Sequence, residues 1–193
     1  MIKFFFVFIA LFLSNCSNSN SKYEYLEKDD SFRKKIKSGD FVKLSHGFTY
    51  FEKNNLNNDE IAVFIHGFSV PSYIWDETYY ESVERGLGVI RLDLYGRGNS
   101  SNPDTIYNDQ LYANQVIELL DYLNIDKKVS LVGLSNGGRV VSTIAYLYPE
   151  RVKRLVYVAP GGFHDKKTAP DSRPVLQSDC LLYTSPSPRD LLK

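Results

Sequence analysis

Apolar positions along this chain come in two rhythms. Ile61-Ala62-Val63-Phe64-Ile65, Gly88-Val89-Ile90-Arg91-Leu92, Val129-Ser130-Leu131-Val132 and Leu155-Val156-Tyr157-Val158 are short, nearly unbroken runs of strand length. Runs of this kind suit strands buried on both faces, as in a parallel sheet. Between them lie stretches of helical length. One is Tyr73 to Arg85, and a second is Asn108 to Leu123, with Leu111, Val116, Leu119, Leu120 and Leu123 at helical spacing. The third, Asn136 to Tyr148, stops at Pro149, which cannot continue a helix. Strands that alternate with helices predict right-handed βαβ crossovers and a mostly parallel sheet with helices on both faces. Ahead of them, Phe41 to Leu44 and Phe48 to Phe51 alternate around His46-Gly47, the pattern of a hairpin.

The N-terminus follows a different logic. Lys3 precedes an apolar run from Phe4 to Leu13. At about ten residues the run is too short to span a bilayer and matches the apolar region of a secretory signal. Leu13-Ser14-Asn15-Cys16 comes next and resembles the bacterial lipobox, although Asn15 stands where a small residue is usual. The expectation is a lipoprotein signal over residues 1–15 and a lipidated Cys16 holding the protein to a membrane of the bacterial cell envelope. Secretion behind an ordinary signal peptide is the alternative. Ser17 to Ser21 is a polar tether, within a tether and linker over residues 16–40. Tyr23, Leu26, Phe32 and Ile36 permit a short helix between Lys22 and Lys37, expected to be a solvated linker.

Composition narrows the picture. The 193 residues are 43% hydrophobic, enough for one globular core, and the 23 basic residues balance 23 acidic ones. With no basic excess, a nucleic-acid partner is not expected. Two cysteines, Cys16 and Cys180, cannot build a disulfide framework. No Cys/His cluster has metal-ligand spacing, and no cofactor is implied. Gly96-Arg97-Gly98 lacks the third glycine of a dinucleotide loop, and Asn102-Pro103 stands where a helix should open.

The candidate chemistry sits where the third run of strand type meets its helix. Gly133-Leu134-Ser135-Asn136-Gly137-Gly138 is a G-x-S-x-G stretch between strand and helix, the context of a nucleophile elbow. Gly133 and Gly137 let strand and helix approach closely, and Ser135 is expected in a strained conformation that projects its hydroxyl. The same residues also suit a plain helix cap. Ile65-His66-Gly67-Phe68 ends an earlier run, and Asp93-Leu94-Tyr95-Gly96-Arg97-Gly98-Asn99-Ser100 comes after another.

Taken in order over roughly the central hundred residues, these three motifs resemble the α/β-hydrolase fold family, in its esterase and lipase branches and its meta-cleavage-product hydrolases. A serine at the elbow argues against the dehalogenase and epoxide hydrolase branches, which place an aspartate there. The resemblance implies Ser135 as nucleophile, the backbone amides of Phe68 and Asn136 as oxyanion donors, His66 and Gly67 as shapers of the loop, and the Asp93–Ser100 stretch as architecture. Asn136 replaces the Met, Gln or His of many relatives, which affects pocket shape only. The expected substrate is a small-molecule or lipid carboxylic ester, carried as an acyl group on Ser135.

The resemblance places the hydrolase core over residues 41–163 and has implications for the chain beyond it. Residues 164–179 are expected to begin the lid, and the catalytic acid and base to lie after the sixth strand. His164 and His46 are poor candidates for the base. Tyr73, Trp75 and Phe163 are candidate pocket residues, with core packing the expected role. Cys180 to Asp190 reads as the in-frame translation of a transposase-type sequencing adapter, so residues 180–193 are expected to be an artefact and the chain, lacking acid and base, to be inactive. The alternative function is a binding or structural lipoprotein that kept the fold without catalysis.

Overall fold

The computed structural model describes residues 28–161. The signal segment, Cys16, Phe163, His164, the lid start and the tail fall outside the described residues. The element order is α1 (Asp30–Lys35), β1 (Asp40–Leu44), β2 (Gly47–Asn54), β3 (Ile61–Ile65), a 3-10 turn (Ser72–Trp75), α2 (Asp76–Glu84), β4 (Gly88–Leu92), α3 (Asp109–Tyr122), β5 (Val129–Leu134), α4 (Asn136–Leu147), a second 3-10 turn (Pro149–Arg151) and β6 (Val152–Val158).

The six strands form one sheet in the order β1-β2-β4-β3-β5-β6. The β1–β2 hairpin is antiparallel, and β2 also runs antiparallel to β4. The β4, β3, β5 and β6 strands are parallel. Side chains alternate along β3 and divide the core in two. Ile61, Val63 and Ile65 face one cluster, with Leu111, Val116, Leu120, Val140, Val141 and Ile144 from α3 and α4. Phe64 faces the other, with Trp75, Tyr79 and Val89, and Ala62 packs beside it. Helices therefore cover both faces. Trp75 is a core residue, its ring 5.2 Å from that of Phe64.

The chain steps from β3 to β4 on one side and then returns to place β5 on the other. In an open α/β sheet this reversal leaves a crevice at the carboxyl ends of the two diverging strands, where ligands bind. Here those ends are Ile65, leading into His66-Gly67-Phe68, and Leu134, leading into Ser135.

Three expectations need adjustment. Burial on both faces holds for β4 but not for β6, where Val156, Tyr157 and Val158 are 44%, 39% and 38% exposed. β6 lies at the end of the sheet, and among the described residues no strand flanks its outer side. The linker is not wholly solvated, because residues 28–35 dock on the core. Asp29 caps α1 by accepting from the Phe32 amide, Arg33 lies 3.8 Å over the Phe48 ring, and Lys28 donates to the Ser100 carbonyl at 2.5 Å. Burial lowers the Lys28 ammonium to about 8, against an opposing pull from Asp93. Finally, the apolar run of β4 carries a buried charge. Arg91 pairs with Glu52 at 2.8 Å and with Asp76, and stacks on Tyr79, partners that sequence neighbours do not disclose.

Candidate active site

Ser135 stands alone between β5 and α4, at φ 51° and ψ −116°. A non-glycine residue at positive φ stores strain and persists only where its surroundings over-determine it. They do so here. The Ser135 amide donates to the Val158 carbonyl at 3.0 Å, and its own carbonyl accepts from the Gly138 amide at 3.0 Å and the Gly161 amide at 2.8 Å. The end of β6 thus clamps the turn from outside. Ser135 occupies the cap position of α4 but makes no side-chain capping bond, and the residue is exposed. A plain helix cap would turn its hydroxyl onto the helix amides.

Glycines allow the surrounding backbones to close in. A Cβ on Gly133 would lie 2.4 Å from the Gly137 carbonyl oxygen. A Cβ on Gly137 would lie 2.4 Å from the Ile65 oxygen and 2.7 Å from the His66 oxygen. On Gly67 it would come within 3.2 Å of Ser135 Cβ and 3.7 Å of its Oγ. The His-Gly loop therefore lies directly against the serine, and the first turn of α4 against the end of β3. Neither the Phe68 nor the Asn136 amide has a backbone acceptor among the described residues. The first turn of α4 carries no acidic side chain, so its positive dipole end is unopposed. Negative charge developing at Ser135 would lie at the amino end of α4, where the helix dipole favours it.

His66 is fully buried, and both ring nitrogens are engaged. Nε2 accepts from the Leu94 amide at 2.9 Å, which leaves Nδ1 to carry the proton toward the Gly67 carbonyl at 2.6 Å. Burial holds its pKa below the usual histidine value, against the pull of Asp93. His66 ties the His-Gly loop to the loop after β4 and has no nitrogen left for a serine. His46 sits in the β1–β2 turn beside Tyr95, with ring centroids 6.3 Å apart. His66 is therefore not free to act as a base, and His46 lies in the hairpin turn rather than on the loops that flank Ser135.

Asp93 organises the loop after β4. It is 2% exposed, and its two carboxylate oxygens accept from the amides of Ser72 and Asn99, each at 2.7 Å. Two features of the site were missed in the sequence. One is the clamp from Val158 and Gly161. The other is Arg97, which reaches Phe68. The second glycine of Gly137-Gly138 was a clue to the first, since a Cβ on Gly138 would lie 2.8 Å from Pro160 Cβ.

A shallow depression of about 400 Å³, lined by Leu56, Asn57 and residues 123–127, opens at the amino ends of β3 and β5, opposite the serine. Among the described residues no group of His, Cys, Asp and Glu is placed to hold a metal. No described helix is long and apolar enough to cross a membrane.

Known proteins resemble the chain in sequence and fold. Putative methylesterase 12 of Arabidopsis thaliana is 31% identical over 97 residues, covering 50% of this chain and 28% of that protein. A probable hydrolytic enzyme from Pseudomonas aeruginosa superposes with a TM-score of 0.61 at 27% identity, over 66% of this chain and 43% of that one. Epoxide hydrolase A from Mycobacterium thermoresistibile superposes with a TM-score of 0.58 at 28% identity, over 62% and 38%. The chain thus spans less than half the length of each. A family model described as the alpha/beta hydrolase fold matches residues 63–177, and the chain belongs to the α/β-hydrolase fold family.

Proposed function

We propose that Ser135 is the nucleophile of an acyl-transfer hydrolase acting on carboxylic esters. The observation that carries this reading is an exposed, uncapped serine at positive φ, pressed against the His-Gly loop at the switch point of the sheet. Its Oγ attacks the ester carbonyl carbon and its proton passes to a histidine base. The carbonyl oxygen becomes an oxyanion facing the amides of Phe68 and Asn136. Collapse expels the alcohol, which takes the proton from the base, and water then releases the acid from Ser135. The esterase name of the plant relative supports this class. The epoxide hydrolase among the fold neighbours means that fold alone does not choose the reaction, and a serine at the elbow favours the ester.

In this reading none of His46, in the β1–β2 turn, His66, engaged at both ring nitrogens, and His164 is the base, and the base and its carboxylate come from sequence outside the chain. The 193-residue chain alone is then inactive, with Ser135 protonated and weakly nucleophilic near neutral pH. The same observation favours a second reading, a non-catalytic binding module of a lipoprotein. A fluorophosphonate probe separates the two. The full-length protein labels at Ser135 and Ser135→Ala does not; equal labelling of that variant refutes the assignment, and no labelling of the full-length protein favours the binding module.

Anchoring through Cys16 is proposed with it. Palmitate is incorporated in a bacterial host, and Cys16→Ser moves the protein to the soluble fraction, since several acyl chains hold where one does not. An unlabelled wild type rejects the anchor.

A further inference from the structure

The donor assigned to Phe68 sits on an exposed part of the chain. Phe68 belongs to no helix or strand, and the residue is 55% exposed. An amide stabilises an oxyanion best when it is held in place before charge develops. Among the described residues, His66 Nδ1 holds the Gly67 carbonyl on the peptide that carries the Phe68 N–H, and Arg97 grips Phe68 from its other side. Arg97 Nε donates to the Phe68 carbonyl at 2.5 Å, and the guanidinium carbon lies 4.3 Å from the centre of the Phe68 ring. The two contacts hold the residue from its backbone and from its side chain, which a single hydrogen bond cannot do.

Arg97 is itself fixed. Its Nη1 donates to the Gly96 carbonyl at 2.8 Å, its amide to the Leu94 carbonyl at 3.0 Å, and its carbonyl accepts from the Ser100 amide at 3.2 Å. The turn that carries it is pinned by the Asp93 carboxylate through Asn99, and Lys28 donates to Ser100 at its far end. Gly98 lies at φ +48°, where a Cβ would fall 2.1 Å from Asp93 Oδ2, so the turn admits no side chain there. A buried carboxylate, a rigid turn and a guanidinium thus run in series from the core to Phe68.

We propose that Arg97 is a positioning residue, which fixes Phe68 by its carbonyl and ring and so steadies the adjoining Gly67–Phe68 peptide, whose N–H is the oxyanion donor, without touching substrate. The proposal rests on the acyl-transfer reading of Ser135 and Phe68. In the full-length protein, Arg97→Ala lowers kcat by about tenfold and leaves KM within about twofold, a fraction of the roughly 10²–10³ lost when one donor is removed completely. Arg97→Lys retains a cation and a donor but not the planar fork, and falls between the two. Unchanged kcat, or a raised KM at constant kcat, overturns the proposal; the second result would make Arg97 a substrate contact. A second measurement needs no turnover. In a Ser135→Ala background, Arg97→Ala lowers the backbone amide order parameters of residues 67–69 from the rigid range of about 0.85 to about 0.6 or below, while those of β3 and β5 stay unchanged and certify the fold. Unchanged order parameters at residues 67–69 overturn the clamp. A wild type that neither turns over nor labels rejects the acyl-transfer reading instead, and the order parameters still decide whether Arg97 holds the loop.

Discussion

Gly137→Ala sets local preference against tertiary packing and predicts that packing wins. Gly137 lies in the first turn of α4. In an isolated helix, replacing glycine by alanine stabilises by about 0.5–1 kcal/mol. In this protein the added Cβ would meet the Ile65 carbonyl oxygen at 2.4 Å and the His66 oxygen at 2.7 Å. Both are backbone atoms at the end of a central strand, so no side chain can swing away. To reach even 3.0 Å, α4 and β3 must separate by at least about 0.6 Å. Overpacking of this kind costs about 1–3 kcal/mol, and rigid neighbours place it at about 3, which outweighs the gain in propensity. Net destabilisation is about 2 kcal/mol, a fall in Tm of roughly 4–8 °C for a chain of this size. The assay is thermal or urea unfolding of wild type and variant followed by circular dichroism. Gly86→Ala is the control: with nothing within 4 Å but φ at +79°, it carries only backbone strain, about 1–2 kcal/mol. A Gly137→Ala protein as stable as wild type, or more so, would refute the argument that β3 and α4 touch at this glycine.

Two further expectations concern buried charge and protonation. Arg91→Met leaves the Glu52 carboxylate without its charge partner and with only the Tyr50 hydroxyl donating to it, and is expected to cost about 3 kcal/mol in urea unfolding, with part recovered by adding Glu52→Gln; no recovery in the double variant would mean that Arg91 acts through packing on Tyr79 alone. His66, with its folded pKa depressed below 6.5 by burial, binds its proton more readily unfolded than folded. Its contribution is therefore complete above pH 6.5 and is lost as pH falls below it, by up to about 1.4 kcal/mol per pH unit. The difference in unfolding free energy between wild type and His66→Gln should carry that slope between pH 6.5 and 5, and a flat difference would contradict the burial argument.

Much of this protein was legible in one dimension because the relevant interactions are local. The buried runs that became β3 and β4 need only short-range apolar patterning. Asn108 caps α3 by accepting from the Leu111 amide, a signal that spans three positions. The elbow was readable because its strand, glycines, serine and helix are consecutive. Other features depend on chain segments meeting at long range. Nothing near Arg91 in sequence indicates that Glu52 and Asp76 will neutralise it inside the sheet. The loop-shaping role of His66 acquires its physical basis only from the Leu94 amide and the Gly67 carbonyl, which engage both ring nitrogens of a buried side chain. The antiparallel pairing of β2 with β4, the Val158 and Gly161 bonds that hold Ser135 in its strained turn, and the grip of Arg97 on Phe68 join residues far apart along the chain. Hydrophobic period and turn chemistry specify elements, because each depends on a residue and its near neighbours. Which strand ends meet, and so which amides surround one serine, depends on the packing of the whole sheet, and only the tertiary structure decided it.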